Sequence, residues 1–374
     1  MDRPKASCMH PFLKKLLGLN WLLLTLTLGL GVYGIYSIYS ATWMRDLRFY
    51  NLQIAWFLVS LPVFLTLTLL DYHWLRWCGF PLYLLGIGSL AVTYSSAKVV
   101  YGSGRWLSLG SISFQPSSLA IVTGIIMLAI FLHQSHRLHP LFRIMVSLVL
   151  VGVPAVLVLL QPDLGSSLVW GFTLMGMLFV AGIPKRYLIV MLLVTVAAVP
   201  VVVYFGLKPY QRERITTFLN PDVDPLNTSY NINQSLNAIG SGGLYGKGFR
   251  AEDTLNKLGY LPRAAAHNDF IFSVMGEQHG FLGGLCLVVT YALLLLTGLY
   301  VASQADDDFG CLLALGITMM LFAHIFMNLG MTVAVTPVTG LPLPLMSYGG
   351  TFLFTVMTSL ALLQSIWIYR KGHG

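Results

Sequence analysis

Residues 266–280 read AHNDFIFSVMGEQHG and set two carboxylates, Asp269 and Glu277, beside two imidazoles, His267 and His279, at the start of a long apolar run. The chain has 374 residues, 56% hydrophobic and 10% charged, whereas a soluble domain carries about 25% charged residues. An ionisable group in such apolar surroundings is costly and marks a functional site by default. Of the fourteen carboxylates, only Asp163, Asp269 and Glu277 fall at or within the apolar runs. Asp269 sits where a long polar loop enters one of them. On a helix, Ser273, Gly276, Gly280 and Gly283 lie within about 40° of its direction. That stripe of small residues suits helix packing, or a groove for a lipid with the acid at its mouth. Only the groove accounts for the acid, and a partly desolvated carboxylate there suits a general base. Glu277 is about 12 Å deeper and about 80° round the helix, too far to share a proton with Asp269. Glu277 is therefore expected to be structural or orienting, buried against a neighbouring helix and paired with His279 or a cation; His267 is placed with it.

Other polar clusters flank the same side. Asp163, in QPDLGSS, reads as a helix N-cap or a substrate contact, and the two roles can coexist. Arg105 and Trp106, in YGSGRWLSLGSISFQPSS, combine a cation that grips phosphate with an indole at head-group level. The glycine-rich AIGSGGLYGKGF (238–249) carries Lys247. It lacks the spacing of a P-loop, though its backbone amides are candidates for anion binding. TPVTGLPLPLMSYGG (336–350), with Ser347 as a candidate substrate contact, holds three prolines and cannot be regular helix. Such backbone is tolerated at membrane depth only when buried in protein or lining a cavity. One acid, several cations and glycine-rich backbone suit a lipid carrying phosphate groups. On these residues alone, lipid-phosphate transferase, lipid transporter and channel all remain open.

The elements that must position these groups are membrane helices. Ten runs of sufficient length lie near 17–40, 52–70, 77–95, 115–133, 144–160, 165–182, 187–207, 270–302, 309–333 and 351–369, predicting an all-α integral membrane protein with a single polytopic domain over 1–374. No cleavable leader is expected, because the basic start MDRPKASCMHPFLKK lacks a small-residue cleavage site. An even number of spans puts both termini on one side. With the termini inside, the short inner segments carry Arg3, Lys5, Lys14, Lys15, Arg76, Arg137, Arg143, Lys185, Arg186, Arg370 and Lys371, against Arg45, Arg48, Lys98 and Arg105 outside. That asymmetry predicts cytoplasmic termini. The acidic QADDDFG falls inside against the trend, but acidic residues weigh little in this rule. Residues 208–268 then form a long outer loop whose Tyr, Phe and Leu content predicts folding onto the membrane domain. The net charge of +8 is spread out and gives no nucleic-acid patch. Four cysteines outside the outer loops imply no disulfide framework. His133, His136 and His139 read as an interface segment in preference to a metal site.

The motifs FQPSSLA, LQPDLGSSLV, FLNPDVDPLNTSYNINQSLNAIGSGGLYGKGF, HNDFIFSVMGEQHGFLGG and NLGMTVAVTPVTGLPLPLMSYGGT, in that order, resemble the SEDS family (shape, elongation, division and sporulation). DPLNTSYNINQS and the short tails are more similar to its RodA branch than to its FtsW branch. The resemblance implies a peptidoglycan glycosyltransferase. It would polymerise lipid II on the outer face of the bacterial cytoplasmic (inner) membrane during elongation, alongside a class B penicillin-binding protein and the MreB-associated machinery. It implies that Asp269 takes the proton of the acceptor sugar hydroxyl. Arg105, Arg212, Arg214 and Lys247 are then candidates to meet the leaving diphosphate, with a divalent cation, Mg or Mn, as a possible helper. Departures from the family pattern fall at Ser118 and Ile121, where a Glu and a Lys are usual, at Arg263 for a Glu, and at Gln278 for a carboxylate. Losing Glu and Lys together fits two groups that pair or hold one ligand, and Arg263 is a candidate replacement for the Lys. The alternatives are a catalytically weakened scaffold for the penicillin-binding protein, and a lipid II flippase.

Overall fold

The computed structural model of the chain describes residues 15–43, 46–96, 107–109, 112–206, 209–219, 228–262 and 265–370. Each of the ten apolar runs is a helix: α1 (Trp21–Thr42), α2 (Arg48–Leu69), α3 (Leu75–Ser96), α4 (Pro116–Gln134), α5 (Pro140–Leu160), α6 (Leu164–Val180), α7 (Lys185–Val201), α11 (Ile271–Gln304), α12 (Asp308–Thr332) and α13 (Gly350–Ile368). Nine are long and apolar enough to cross a membrane; α6, with 17 residues, is shorter but equally apolar. A small antiparallel hairpin, β1 (Leu107–Leu109) and β2 (Ile112–Phe114), precedes α4, with Leu107 opposite Phe114.

The helix starts are written locally. Asn20 caps α1 by accepting from the Leu23 amide at 3.0 Å, and Pro116 and Pro140 occupy the first positions of α4 and α5, where the missing N–H costs nothing. Helices α4, α12 and α13 form the buried centre, while the apolar span Lys185–Gly206 that contains α7 is only 6% buried. Glycines let the central helices approach closely: a β-carbon on Gly124 would strike the Trp170 ring, and one on Gly316 would strike Ile125 and Met177. Such seams replace the hydrophobic driving force that helices lack in lipid.

One end of the bundle gathers both ends of the described chain. Lys15 and the Tyr369 hydroxyl both donate to the Leu69 carbonyl. At the same end Asp307 caps α12 and pairs with Arg76, and the Tyr72 hydroxyl donates to it at 2.7 Å. The acidic segment that runs against the charge rule is thus a helix cap and an ion-pair partner. At the other end of the 22-residue α2, Phe49 stacks on His267 at 4.3 Å.

The described parts of 208–268 contain α8 (Pro209–Leu219), α9 (Thr228–Ser241) and the single turn α10 (Leu255–Leu258). α9 lies along α11 with Ile232, Ser235 and Ala238 buried. Residues 333–349 are non-helical and their Leu341, Leu343 and Met346 are buried, which is the condition for irregular backbone at this depth.

Candidate functional site

Asp269 lies in a turn over 265–270, one residue before the cap of α11, and its side chain is half-buried. Three consecutive carbonyls of this turn are each held by the opposite wall. The Tyr348 amide donates to His267 O at 2.9 Å, the Ser347 hydroxyl to Asn268 O at 2.6 Å, and Asn328 Nδ2 to Asp269 O at 3.0 Å. Asn328 also donates to Leu341 O at 2.7 Å, so one fully buried amide ties the acid's turn to the proline-rich segment. The carboxylate faces that segment: a β-carbon on Gly340 would come within 3.5 Å of Asp269 Oδ2. Sequence reading missed Asn328. The available signal was a strongly polar residue in the middle of an apolar span.

The same segment gathers other predicted residues. Gly165, at the start of α6, abuts Thr339 and Leu341. Asp163 caps α6 by accepting from the Ser166 amide at 3.1 Å and the Ser166 hydroxyl at 2.8 Å. Arg214 donates to Val338 O at 3.3 Å. Asp269, Asn328, Arg214 and the capped end of α6 therefore surround residues 338–341. Ser347 is buried and committed on both sides, accepting from the Leu343 amide at 2.8 Å while it holds Asn268; its place is beneath the turn. His267, Phe49 and Tyr348 form a cluster of three rings that orients the same turn. Burial raises the Tyr348 phenol above its ordinary pKa, with Arg48 opposing, so it stays protonated.

Glu277 has no exposed surface and makes a different structure. One oxygen accepts from Lys247 Nζ at 2.9 Å, the Leu255 amide at 2.7 Å and the Ser241 hydroxyl at 3.2 Å. Its partner is the cation Lys247 and not His279, whose ring lies 3.4 Å from the Tyr33 hydroxyl. Nearby, α11 breaks at Gly280 (φ 65°, ψ −163°). The glycine-rich turn fills the break: the Phe281 and Leu282 amides donate to Gly243 O and Leu244 O, and the Lys247 and Gly248 amides donate to Glu277 O and Gln278 O.

Four expectations are corrected here. The small-residue stripe is a packing seam and not a lipid groove. Ser273 bonds Ser235 at 2.6 Å, Gly276 meets Ile239, and Gly280 meets the 244–246 backbone. At least two amides of the glycine-rich turn complete a broken helix instead of facing an anion. Lys247 neutralises Glu277 and also donates to Asp253 O, so it is not aimed at the Asp269 turn. Arg212 likewise binds the Val203 and Tyr204 carbonyls at the end of α7. Arg105, Trp106 and Arg263 lie outside the described residues. Ser118 and Ile121 line one small cavity of ≈ 20 Å³ with Ser117, Ser166, His324 and Thr355, room for about one water; the two departures do share a site.

Residues 19–372 match the cell cycle protein family of FtsW, RodA and SpoVE. The chain belongs to the FtsW/RodA/SpoVE family. Among relatives in this family, the peptidoglycan glycosyltransferase MrdB of Escherichia coli K12 is 35% identical over 93% of both chains. The peptidoglycan glycosyltransferase RodA of Treponema pallidum is 31% identical, over 93% of this chain and 97% of that one. A chain from a solved peptidoglycan synthase complex that coordinates polymerization and crosslinking superposes with a TM-score of 0.81 at 30% identity, covering 95% of this chain and 99% of that one. The rod shape determining protein RodA of Thermus thermophilus gives 0.71 at 28% identity, covering 94% and 98%. This FtsW/RodA/SpoVE member is a multi-pass membrane protein.

Proposed function

We propose that the chain is a peptidoglycan glycosyltransferase of the RodA branch that polymerises lipid II with Asp269 as general base. The observation that carries this reading is the Asp269 turn: a half-buried carboxylate whose own carbonyl and the two before it are fixed from the opposite wall. A base must be held within hydrogen-bond reach of the hydroxyl it deprotonates, and a turn pinned on successive carbonyls holds it there. The acceptor 4-hydroxyl gives its proton to Asp269 as its oxygen bonds to the donor's anomeric carbon. The diphosphate leaves with the electrons of the broken bond, and cations stabilise the developing charge. Arg214 is at the site; Arg105 and Arg263 remain candidates beyond the described residues. Among the described residues no group of three or more His, Cys, Asp or Glu converges. A divalent cation would therefore be held largely by the diphosphate and one carboxylate, as Mg often is. Chelation that leaves the rate unchanged removes it from this reading.

The termini are assigned to the cytoplasmic side of the bacterial inner membrane, with the Asp269 end outside, from the basic-residue asymmetry and from the meeting of Lys15 and Tyr369 at the far end of α2. A class B penicillin-binding protein and MreB-associated elongation proteins are the proposed partners. In the test, purified protein with its transpeptidase partner and labelled lipid II should yield glycan ladders that vanish in Asp269→Asn. Ladders that survive that change sink the base assignment. The uncharged cavity at Ser118 and Ile121 favours the scaffold as second reading: transpeptidase binding with no ladder from the unaltered chain establishes it.

A further inference from the structure

A membrane-facing groove of ≈ 650 Å³ runs between α1 and the kinked α11, lined by Leu28, Gly29, Val32, Tyr33, Tyr36 and His279. It shares no lining residue with the Asp269 site. Its floor is apolar at Leu28, Gly29 and Val32. One to two turns higher it becomes polar, where the Tyr33 hydroxyl lies 3.4 Å from His279 Nδ1. An imidazole opening towards hydrocarbon is costly unless something polar meets it.

Above the groove, the same face of α1 continues through Tyr36, Tyr39 and Trp43. Phe249 stacks on Tyr36 at 4.2 Å, and the Arg250 guanidinium lies 3.8 Å above the Trp43 ring and 5.3 Å from that of Tyr39. Arg250 takes part in no ion pair among the described residues. Its backbone is left-handed, with φ 59°, a conformation that a bulky residue adopts only when its surroundings impose it. The result is a cation with no ion pair among the described residues, at interfacial aromatic level above an apolar slot with hydrogen-bonding groups in between.

We propose that this groove seats an anionic phospholipid of the surrounding bilayer. One acyl chain lies along Leu28, Gly29 and Val32, the glycerol esters meet Tyr33, Tyr36 and His279, and the phosphate meets Arg250. The order of apolar, polar and cationic groups along α1 follows the order of those parts in the lipid. A neutral or zwitterionic lipid fills the slot equally but leaves Arg250 without net charge compensation. One basic side chain near an anionic lipid surface is worth about 1 kcal/mol, or about a fivefold preference.

The test uses the delipidated full chain in detergent, titrated with phosphatidylglycerol or phosphatidylcholine of matched acyl chains, with bound lipid counted by native mass spectrometry. The unaltered chain should prefer phosphatidylglycerol by about fivefold. Arg250→Gln should abolish the preference, and Arg250→Lys should retain it. Gly29→Leu should weaken both lipids, because no protein atom lies within 4 Å of a β-carbon at Gly29 and the added side chain enters only the groove. A preference that persists in Arg250→Gln overturns the proposal, as does the absence of lipid binding sensitive to Gly29→Leu. A third arm adds undecaprenyl phosphate. If it displaces phosphatidylglycerol at equal concentration and loses binding in the same two variants, the groove belongs to the isoprenyl lipid, and the bilayer-lipid assignment falls.

Discussion

At the scale of single residues, Asp269 and Asn328 divide the work of the site. Asp269 supplies the carboxylate; Asn328 supplies two hydrogen bonds that fix where that carboxylate stands. Asp269→Asn keeps size and shape, so the protein should retain its thermal stability while polymerisation falls by about 10²–10⁴, the usual contribution of a general base. Ladder intensity over time against the melting temperature separates these effects. Asn328→Ala should lower both. It removes the Asn328 donor from Asp269 O and Leu341 O, at about 1–3 kcal/mol each, and frees the turn. A melting temperature unchanged by Asn328→Ala contradicts the positioning role. The sequence disclosed Asp269, because a charge at the edge of an apolar run is conspicuous. It hid the function of Asn328, whose partners are 59 and 13 residues away and are joined to it only by tertiary packing.

At the scale of elements, the ten helices were legible because each is a continuous apolar run bounded by caps, prolines or charges. The break in α11 was not. Hydrophobicity continues through Gly280 without a proline, and the groups that satisfy the break come from a turn more than thirty residues earlier in the chain. The same turn explains why the small-residue stripe was misread: close backbone approach and a lipid groove demand the same small side chains. Gly280 cannot carry a side chain without strain. Its backbone occupies a region essentially reserved for glycine, and a β-carbon would lie 2.3 Å from the Gly246 nitrogen. Gly280→Ala should therefore destabilise the fold by about 2–4 kcal/mol. Gly152→Ala, in the interior of α5 with no atom within 4 Å of its β-carbon, should be neutral or stabilising by up to about 1 kcal/mol. Thermal unfolding of the two variants side by side checks the pair, and equal melting temperatures refute the account of the kink.

At the scale of the whole molecule, the bundle has one end closed by ion pairs and one end dressed by an added layer. Arg76 and Asp307 close the first. At the second, the 208–268 segment is fastened to α11 by the backbone hydrogen bonds of the glycine-rich turn and, among the described residues, by one buried ion pair, Lys247 with Glu277, whose carboxylate also holds the Leu255 amide and Ser241. The composition of that segment announced that it folds onto the membrane domain; its fastening could be guessed only as far as an unnamed cation beside Glu277. Because one carboxylate oxygen serves three donors from residues 241, 247 and 255, its loss should release that stretch as a unit. Breaking a buried pair by removing one partner costs about 3–5 kcal/mol. Glu277→Ala should thus open residues 241–258 to protease at concentrations that leave the unaltered chain intact, while the spans remain protected by detergent. Lys247→Met should do so more weakly, since it removes one of the three donors and leaves the Leu255 amide and Ser241 bound. Cleavage mapped by mass spectrometry decides whether this carboxylate is the decisive fastening: if the backbone bonds of the turn and the packing of α9 suffice, neither variant is cut faster than the parent.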